Sequence, residues 1–344
     1  MNKNIILRAG IAGCFLAGMS VLCLTGCVSS TFAPKNSDPI QRTDFLLNTF
    51  VDIKIYDSDD TTILDDAMAI CKDYESRFSR TIETSEIYEL NHRTPDQQTS
   101  ELSDDTAELL ENALHYCELS DGAFDITIEP VSSLWDFTSG EAVIPDESAI
   151  SSAVQHVGYE NLVLDGNTLT FLSPDTTLDL GAIAKGYAVE RVARMLEERG
   201  ISGFVINVGG NVRTVGTKPG GELWLAGIEN PVPDAEEPYV AYLGLAGESI
   251  VTSGSYQRFY IVDGKNYHHI IDAETLLPAD RYLSVSIVCK DSALGDALST
   301  ALFCMTPEDG LALIESIPDA EALWIMTDES RQQSSGFVSY LTEP

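Results

Sequence analysis

The 344-residue chain has few basic residues: 20 Lys and Arg face 54 Asp and Glu, which gives a formal net charge of −34. A polyanion of this kind has no surface that neutralises phosphates, so nucleic-acid binding is excluded. No low-complexity tract, internal repeat or break in composition occurs, and 44% hydrophobic residues are enough for a buried core. The sequence therefore predicts a folded globular domain rather than a disordered chain or a repeat array.

The chain also lacks the signatures of several common sites. Neither GxGxxG nor GxxxxGK[ST] occurs, which excludes the nucleotide-binding fingerprints of Rossmann and P-loop proteins. No CxxC spacing or zinc-ligand cluster occurs either. The four cysteines of the main body are therefore predicted to be small buried hydrophobes, with a disulfide pair as the alternative. They are Cys71, Cys117, Cys289 and Cys304.

The N-terminal segment differs from this acidic body. Residues 1–26 contain two basic residues, no acid, and an apolar run that ends at Leu24. The pattern predicts a secretory signal peptide, because the run is shorter than the roughly 20 apolar residues of a membrane-spanning anchor. Its end, Leu-Thr-Gly-Cys, looks like a bacterial lipobox, in which Cys27 is acylated and becomes the first residue of the mature protein.

Cleavage of the signal peptide determines how the mature protein is expected to associate with the membrane. It removes two of the 20 basic residues and no acid, so the net charge goes from −34 to −36 and no basic membrane-binding surface is expected. The lipid on Cys27 is then the membrane partner, and we expect an exported protein anchored on the extracytoplasmic side. Residues 27–42 are expected to be a flexible tether, and residues 43–344 the folded domain.

Hydrophobic periodicity predicts a mixed α+β (α/β) fold, a single domain in which flanking helices cover a β-sheet core. Spacings of three and four residues predict helices over residues 63–78, 104–119, 184–199 and 293–305. Alternation and β-branched runs predict strands over residues 45–56, 161–163, 168–172, 177–180, 204–208, 223–228, 249–252, 257–262 and 283–289.

Two predicted helices carry polar residues suited to an anion or metal site. Lys185 falls in a first helical turn, where a cation opposes the helix dipole unless an anion is bound there; a solvated surface lysine is the alternative. Asp296 and Thr300 are four residues apart, so a carboxylate and a hydroxyl share one helical face. Such hard oxygen ligands suit Mg²⁺ completed by phosphate oxygens and water, and an aspartate that caps its helix is the alternative.

Two adjacent histidines, His268 and His269, stand beside Asp272 at a predicted strand edge. A histidine pair near an aspartate is compatible with a general base or a metal site. Because successive strand residues point to opposite faces, the two side chains are not expected to serve one site. One catalytic and one structural histidine is therefore the prediction.

Taken in order, seven motifs between residues 46 and 323 resemble the ApbE family, the FAD:protein FMN transferases, which are commonly periplasmic or cell-surface lipoproteins. One motif alone would mean little, but seven in the family's order make the resemblance specific. The motifs are Phe-Ser at 78–79, SDGAFDIT from Ser120, LDLGAIAKGYAVE from Leu178, INVGGN from Ile206, TSG from Thr252, YHHIID from Tyr267 and DALSTALF from Asp296.

The resemblance implies that FAD is the substrate and that its pyrophosphate is split with Mg²⁺. FMN would be joined through its phosphate to a threonine of an acceptor flavoprotein with an FMN-binding domain, releasing AMP. It further implies metal ligation by Asp296, Thr300 and the backbone carbonyl of Ala182, and activation of the acceptor hydroxyl by His269. Contacts with FAD are implied for Leu47, Thr81, Ala123, Phe124, Asp125, Asp179, Lys185 and Ile270.

The chain departs from the family pattern at two places. Thr81 stands where many members carry an aromatic residue, and the loss of a stacking platform weakens flavin retention. The family's Asp-Pro-x-Thr-Gly becomes Asp-Ala-Glu-Thr-Leu at residues 272–276. This second change alters a turn and leaves the metal and histidine motifs intact.

Two alternative functions remain compatible with the sequence. With water as the acceptor, the same fold would be a Mg²⁺-dependent FAD pyrophosphatase that yields FMN and AMP. Without catalytic activity, the protein would be a flavin-binding lipoprotein that retains FAD and releases no AMP.

Overall fold

The computed structural model describes residues 38–135, 137 and 142–344. The predicted signal peptide, Cys27 and most of the predicted tether lie outside these residues. Within the described part, no helix combines the length and the apolar character that a membrane crossing requires.

An eight-stranded sheet forms the centre of the fold, and every neighbouring pair in it is antiparallel. One of its strands, Tyr282–Cys289, is buried along almost its whole length. In sheet order the strands are β1 (Ile40–Leu46), β2 (Thr49–Ile55), β6 (Phe204–Val208), β7 (Asn211–Val215), β10 (Ser249–Gly254), β13 (Tyr282–Cys289), β14 (Glu321–Met326) and β15 (Arg331–Gln333).

Three smaller sheets surround this centre. The first has the order β3 (Thr99–Glu101), β5 (Thr168–Phe171) and β4 (Leu162–Asp165). The second pairs β8 (Trp224–Glu229) with β9 (Tyr239–Leu245). The third is a hairpin of β11 (Phe259–Val262) and β12 (Lys265–His268), and it delivers the two adjacent histidines.

The helices cover the sheet and bring the site motifs together. One of them, α6, packs between α1 and α7, and α7 also packs on β10 and β13. Because α7 is buried on nearly all sides, its polar residues lie inside the protein. The helices are α1 (Thr62–Phe78), α2 (Glu86–Asn91), α3 (Asp104–Leu119), α4 (Glu129–Ser132), α5 (Glu147–Ala153), α6 (Ala184–Glu198), α7 (Ser292–Cys304) and α8 (Pro307–Ser316).

The predicted mixed α+β fold with a sheet core is confirmed. The four predicted helices are α1, α3, α6 and α7, each within one residue at either end. The four cysteines of the main body are free and buried, so no disulfide pair forms among the described residues.

The prediction of one strand over residues 45–56 is wrong, because the chain turns back within it. Leu47 and Asn48 both have positive φ, 53° and 57°, and join β1 to β2 as a tight hairpin turn requires. Asparagine is a usual residue at such a position but leucine is not, so only one of the two turn residues indicated a turn. The strand β1 also begins at Ile40, before the domain start expected at residue 43.

The strand predicted over residues 177–180 is also absent. Their backbone groups form hydrogen bonds with a loop and with a side chain instead of with a neighbouring strand. The backbone N–H of Asp179 donates to the carbonyl of Ile126 at 2.8 Å. The side-chain amide of Asn91 donates to the carbonyl of Leu178 at 2.8 Å and accepts from its N–H at 2.7 Å.

The helices α6 and α7 approach closely at Gly186. A Cβ at this position would overlap the backbone carbonyl of Ser292 and lie 2.7 Å from Cα of Ala293. The N–H of Ser292 donates to the Glu190 carboxylate at 2.8 Å, and its carbonyl accepts from the Asn211 amide at 3.1 Å. Glycine at 186 is therefore what allows the start of α7 to lie against the first turn of α6.

We expect Gly186→Ala to lower the free energy of unfolding by about 3 kcal/mol, because backbone rather than a flexible side chain must move. Gly310→Ala is the matched control: it lies in α8, its Cβ would meet Leu302 at an ordinary 3.4 Å, and alanine favours the helix by about 0.5–1 kcal/mol. Urea unfolding followed by circular dichroism measures both. A Gly186→Ala protein as stable as the wild type would contradict the close approach.

Candidate active site

Asp296 lies on α7 and is buried. Its Oδ2 accepts a hydrogen bond from the backbone N–H of Gly186 at 2.6 Å, and its Oδ1 accepts from Asn211 Nδ2 at 2.9 Å. Burial raises the pKa of Asp296, whereas the charge of Lys185 and these two donors oppose the rise. Because Gly186 is in the first turn of α6, the carboxylate caps that helix from a neighbouring one, and lone pairs remain for a ligand.

The predicted metal donors lie around this carboxylate. Thr300 follows one turn later on α7 and is half-buried, and Ala182 lies just before α6. No group of three or more His, Cys, Asp or Glu that could hold a metal occurs in the described ranges. One carboxylate, one hydroxyl and one carbonyl, completed by phosphate and water, is nevertheless a set that suits Mg²⁺. Among the described residues, the Oδ1 atom of Asn211 is buried and has no hydrogen-bond partner, so a polar atom beside Asp296 is available to the ion or its water, and the residues fit the predicted ion.

Lys185 is in the first turn of α6, as the sequence predicts. Its Nζ donates to the carbonyl of Gly181 at 3.1 Å. The ammonium charge acts on both Asp296 and His269, where it lowers the pKa of each. The structure therefore brings together a predicted metal ligand, a predicted phosphate-binding cation and the predicted catalytic histidine.

The first histidine of the pair is used entirely within the fold. His268 ends β12, and its Nε2 donates to the carbonyl of Ala279 at 2.6 Å while its Nδ1 accepts from the N–H of Ile270 at 3.3 Å. Its ring packs edge-on against Phe303, with centroids 5.5 Å apart. Burial lowers the pKa of His268 to about 4, so it is neutral at physiological pH.

The second histidine has an unused ring nitrogen. The backbone N–H of His269 donates to the carbonyl of Arg258 at 3.1 Å, whereas its Nδ1 is buried and has no hydrogen-bond partner within the described chain. Burial lowers the pKa of His269 to about 3, and the charges of Arg258, His268 and Lys185 add to the effect. A neutral imidazole with a free nitrogen is thus available to a ligand.

The predicted flavin residues 123–125 form a loop that is fixed by its own hydrogen bonds. Asp125 Oδ1 accepts from the N–H and the hydroxyl of Thr127 at 2.7 and 2.6 Å, and Oδ2 accepts from the N–H of Tyr159 at 3.0 Å. Burial raises the pKa of Asp125, and these donors oppose the rise. Phe124 is part of the apolar core, Ala123 packs against that core, and the backbone N–H of Phe124 donates to the hydroxyl of Ser120 at 3.1 Å.

Asp179 connects the loop at 123–125 to Ser132 and Arg80. Its Oδ1 accepts from the N–H of Gly181 at 2.9 Å, and its Oδ2 accepts from the hydroxyl of Ser132 at 3.2 Å. The Nε of Arg80 lies 3.4 Å from the same carboxylate, and Arg80 also pairs with Glu129 at 3.2 Å. Arg80 thus connects the loop that carries Thr81 to Asp179.

The remaining predicted flavin residues lie at the edges of the site. Leu47 is in the hairpin turn between β1 and β2, and the following residue, Asn48, accepts from the guanidinium of Arg258 at 3.3 Å. Thr81 is exposed, and its hydroxyl lies 3.1 Å from that of Ser79, so no aromatic platform stands there. The side chain of Ile270 is buried in the core beneath α7.

The departure after the histidines keeps its turn in a strained form. Leu276, at the position of the family's glycine, has φ 63°, which a glycine adopts without cost. The carboxylate of Asp272 supports the turn, since it accepts from the N–H groups of Glu274 and Thr275 at 2.9 and 3.2 Å. Arg281 pairs with the same carboxylate at 3.1 Å, so this buried aspartate, which the family pattern also has, supports the turn without the proline and the glycine.

Sequence reasoning missed three residues that touch the predicted set: Arg80, Asn211 and Arg258. Asn211 stood within the INVGGN motif and Arg258 shortly after TSG, so their proximity to the motifs was a usable signal. No spacing rule joins them to Asp296 or His269, because the contacts cross between separate strands and loops.

Several known proteins are similar to this chain in sequence and in fold. The model of the ApbE family matches residues 47–324. A FAD:protein FMN transferase of Klebsiella pneumoniae is 31% identical over 283 residues, which is 81% of this chain and 87% of that protein. One of Vibrio cholerae is 29% identical over 94% of this chain and 97% of its own length. The ApbE protein of Thermotoga maritima, a solved structure, superposes with a TM-score of 0.81 at 31% identity, covering 89% of this chain and all of that one.

The buried state of His268 predicts a pH effect on stability. The unfolded chain binds a proton below about pH 6.5 that the folded chain does not bind until about pH 4, so the contribution is full above pH 6.5 and is lost as the pH falls. Between pH 7 and pH 5 this group should cost about 2 kcal/mol of unfolding free energy. Urea unfolding of wild type and His268→Gln at both pH values isolates the difference, and equal losses in the two proteins would contradict the assignment.

Proposed function

The chain belongs to the ApbE family and is a transferase, and we propose that it is a Mg²⁺-dependent FAD:protein FMN transferase. In this reaction the threonine hydroxyl oxygen of an acceptor flavoprotein forms a bond to the phosphorus of the FMN half of FAD. The bond from that phosphorus to the bridging oxygen breaks, AMP leaves with the electron pair, and the hydroxyl proton passes to a base. The products are AMP and an acceptor that carries FMN through a phosphoester.

The proposal rests on the meeting of Asp296, Lys185 and His269 around the first turn of α6. A helix start and an ammonium group together favour a phosphate at this position. Elsewhere a chain of net charge −34 repels phosphates, so a locally positive site is what a pyrophosphate substrate requires.

Asp296, Thr300 and the carbonyl of Ala182 would hold Mg²⁺ in this proposal. When bound, the ion neutralises charge on the phosphoryl oxygens as the bond to the leaving group breaks. Asp296 supplies the one full negative charge of this donor set. The N–H of Gly186 and the amide of Asn211 hold its carboxylate in one orientation, which would leave the remaining lone pairs available to bind the ion.

His269 is the group proposed to take the proton of the acceptor hydroxyl. Its imidazole is neutral at physiological pH, because its pKa is lowered to about 3, and its Nδ1 has no partner in the described chain. Because its pKa is lowered, the His269 imidazole is a weak base in the free enzyme. A phosphate bound near Lys185 and Arg258 offsets their charges, so the pKa of His269 rises when substrate is present.

The flavin end of FAD is proposed to lie between the hairpin turn and the loops at 79–81 and 123–125. Without an aromatic platform at Thr81, stacking on the isoalloxazine is weak, which suits a flavin that is consumed rather than stored. The residues proposed to contact FAD are Leu47, Thr81, Ala123, Phe124, Asp125, Asp179, Lys185 and Ile270.

The proposal includes export and a lipid on Cys27. Support comes from the lipobox-like end of the signal segment and from the mature charge of −36, which provides no basic surface for anionic lipids. The enzyme would then work on the extracytoplasmic side of the membrane. Its acceptor would be a flavoprotein exposed on that same side.

Incubation with FAD, Mg²⁺ and an acceptor domain tests the reaction, with flavin fluorescence after denaturing electrophoresis and AMP by chromatography as readouts. Wild type should give both signals, and Asp296→Asn should lose at least about 100-fold of the rate, because metal affinity depends on that charge. Asp319→Asn, which removes an exposed carboxylate paired with Lys290, is the matched control and should keep full activity.

Each alternative function gives a different pattern in that assay. FMN and AMP without a fluorescent acceptor band would identify a pyrophosphatase. Bound FAD with no AMP, in wild type and Asp296→Asn alike, would identify a flavin-binding protein. Full transfer by His269→Ala would remove that histidine from the proposed chemistry.

Lipidation is tested separately. Wild type expressed in a bacterium should incorporate a palmitate analogue and sediment with membranes, whereas Cys27→Ser should do neither. Cys23→Ser changes a cysteine inside the predicted signal and should leave both results unchanged. Equal labelling of wild type and Cys27→Ser would overturn the anchor.

A further inference from the structure

Arg258 lies between two parts of the candidate site. It directly precedes β11, and its carbonyl accepts from the N–H of His269 at 3.1 Å. Its guanidinium donates to the carbonyl of Asn48 at 3.3 Å, in the hairpin turn that carries Leu47. The side chain thus bridges from the histidine loop to the hairpin turn.

Arg258 and Lys185 are cations without an ion pair. Among the described residues no carboxylate lies within 4.0 Å of either one, although the chain carries 54 acids, and other arginines such as Arg80 and Arg281 are paired. The acid whose charge acts on Arg258 is Asp179, and that carboxylate is already bonded to Arg80 and to the N–H of Gly181. Both cations can therefore meet an anionic ligand without first breaking an ion pair among the described residues.

The guanidinium is accessible but surrounded. Arg258 is exposed to solvent, yet the protein around it lowers its pKa by desolvation. Burial is the main reason why the pKa of His269 is lowered, and the charges of Arg258 and Lys185 add to the effect, so both cations lie close enough to act on the same ring.

We propose that Arg258 is a second phosphate-binding cation, which contacts the pyrophosphate of FAD opposite Lys185. The inference rests on the proposed function and adds a residue to it. A guanidinium presents a planar fork of N–H donors that matches two oxygens of one phosphate, whereas the lysine offers a single point charge. Arg258 therefore orients the phosphate that is attacked and discriminates FAD from a flavin without phosphates.

Binding measurements without divalent metal test this role apart from catalysis. FAD and riboflavin are titrated by fluorescence, and ADP by competition, against wild type, Arg258→Gln and Arg258→Lys. We expect Arg258→Gln to lose about 10-fold to 100-fold affinity for FAD and ADP and to keep the wild-type affinity for riboflavin. Arg258→Lys should fall between the two, because charge is kept and the fork is lost.

Arg331→Gln is the matched control. Arg331 is also exposed, lacks an ion pair among the described residues and donates to one backbone carbonyl, that of Val240 at 2.8 Å, on β15 away from the site. The Arg331→Gln substitution removes the same charge from the protein as Arg258→Gln does. It should leave the affinities for FAD, ADP and riboflavin unchanged.

Three outcomes would overturn the inference. Unchanged FAD and ADP affinity in Arg258→Gln would show that the side chain does not bind phosphate. An equal loss for riboflavin would show that it supports the loops instead. A wild-type protein that binds no FAD, with or without added Mg²⁺, would instead refute the proposed function, on which the inference rests.

Discussion

The fold of the site depends on one buried contact, the hydrogen bond from the N–H of Gly186 to the carboxylate of Asp296. A carboxylate without water needs donors, and here the first turn of one helix and the amide of Asn211 supply them. The contact forms only if the two helices meet at backbone distance, which Gly186 permits. Everything else in the site is arranged around these two helices: the ammonium of Lys185, the hydroxyl of Thr300 and the loop with His269.

The same contact gives the site its electrostatic character. Asp296 is opposed by a helix start and by Lys185, so its negative charge is locally compensated in an otherwise acidic protein. Beyond it, His269 is kept neutral mainly by burial, and the charges of Lys185 and Arg258 add to the effect. In the proposed function this small region attracts phosphate, within a molecule whose net negative charge repels it.

Much of this arrangement could be predicted from the sequence, for identifiable reasons. The helices α1, α3, α6 and α7 follow from apolar spacing, because each buries one stripe or nearly its whole surface. The turn at Leu47 could not be predicted, since its positive φ is imposed by strand pairing rather than by glycine. Residues 177–180 look like a strand because their apolar side chains are buried, but a loop carbonyl and the Asn91 side chain satisfy their backbone.

The two adjacent histidines show what only three-dimensional context decides. Strand alternation predicts that they differ, and β12 ends between them, so His268 bonds inward to Ala279 while His269 faces the cations. The division persists although the following turn lacks proline and glycine, because the buried carboxylate of Asp272 holds that turn against the unfavourable φ of Leu276. The positive φ of Leu276 costs on the order of 1 kcal/mol. Because the turn keeps this conformation in spite of the cost, we infer that the loop that follows His269 is held in one position.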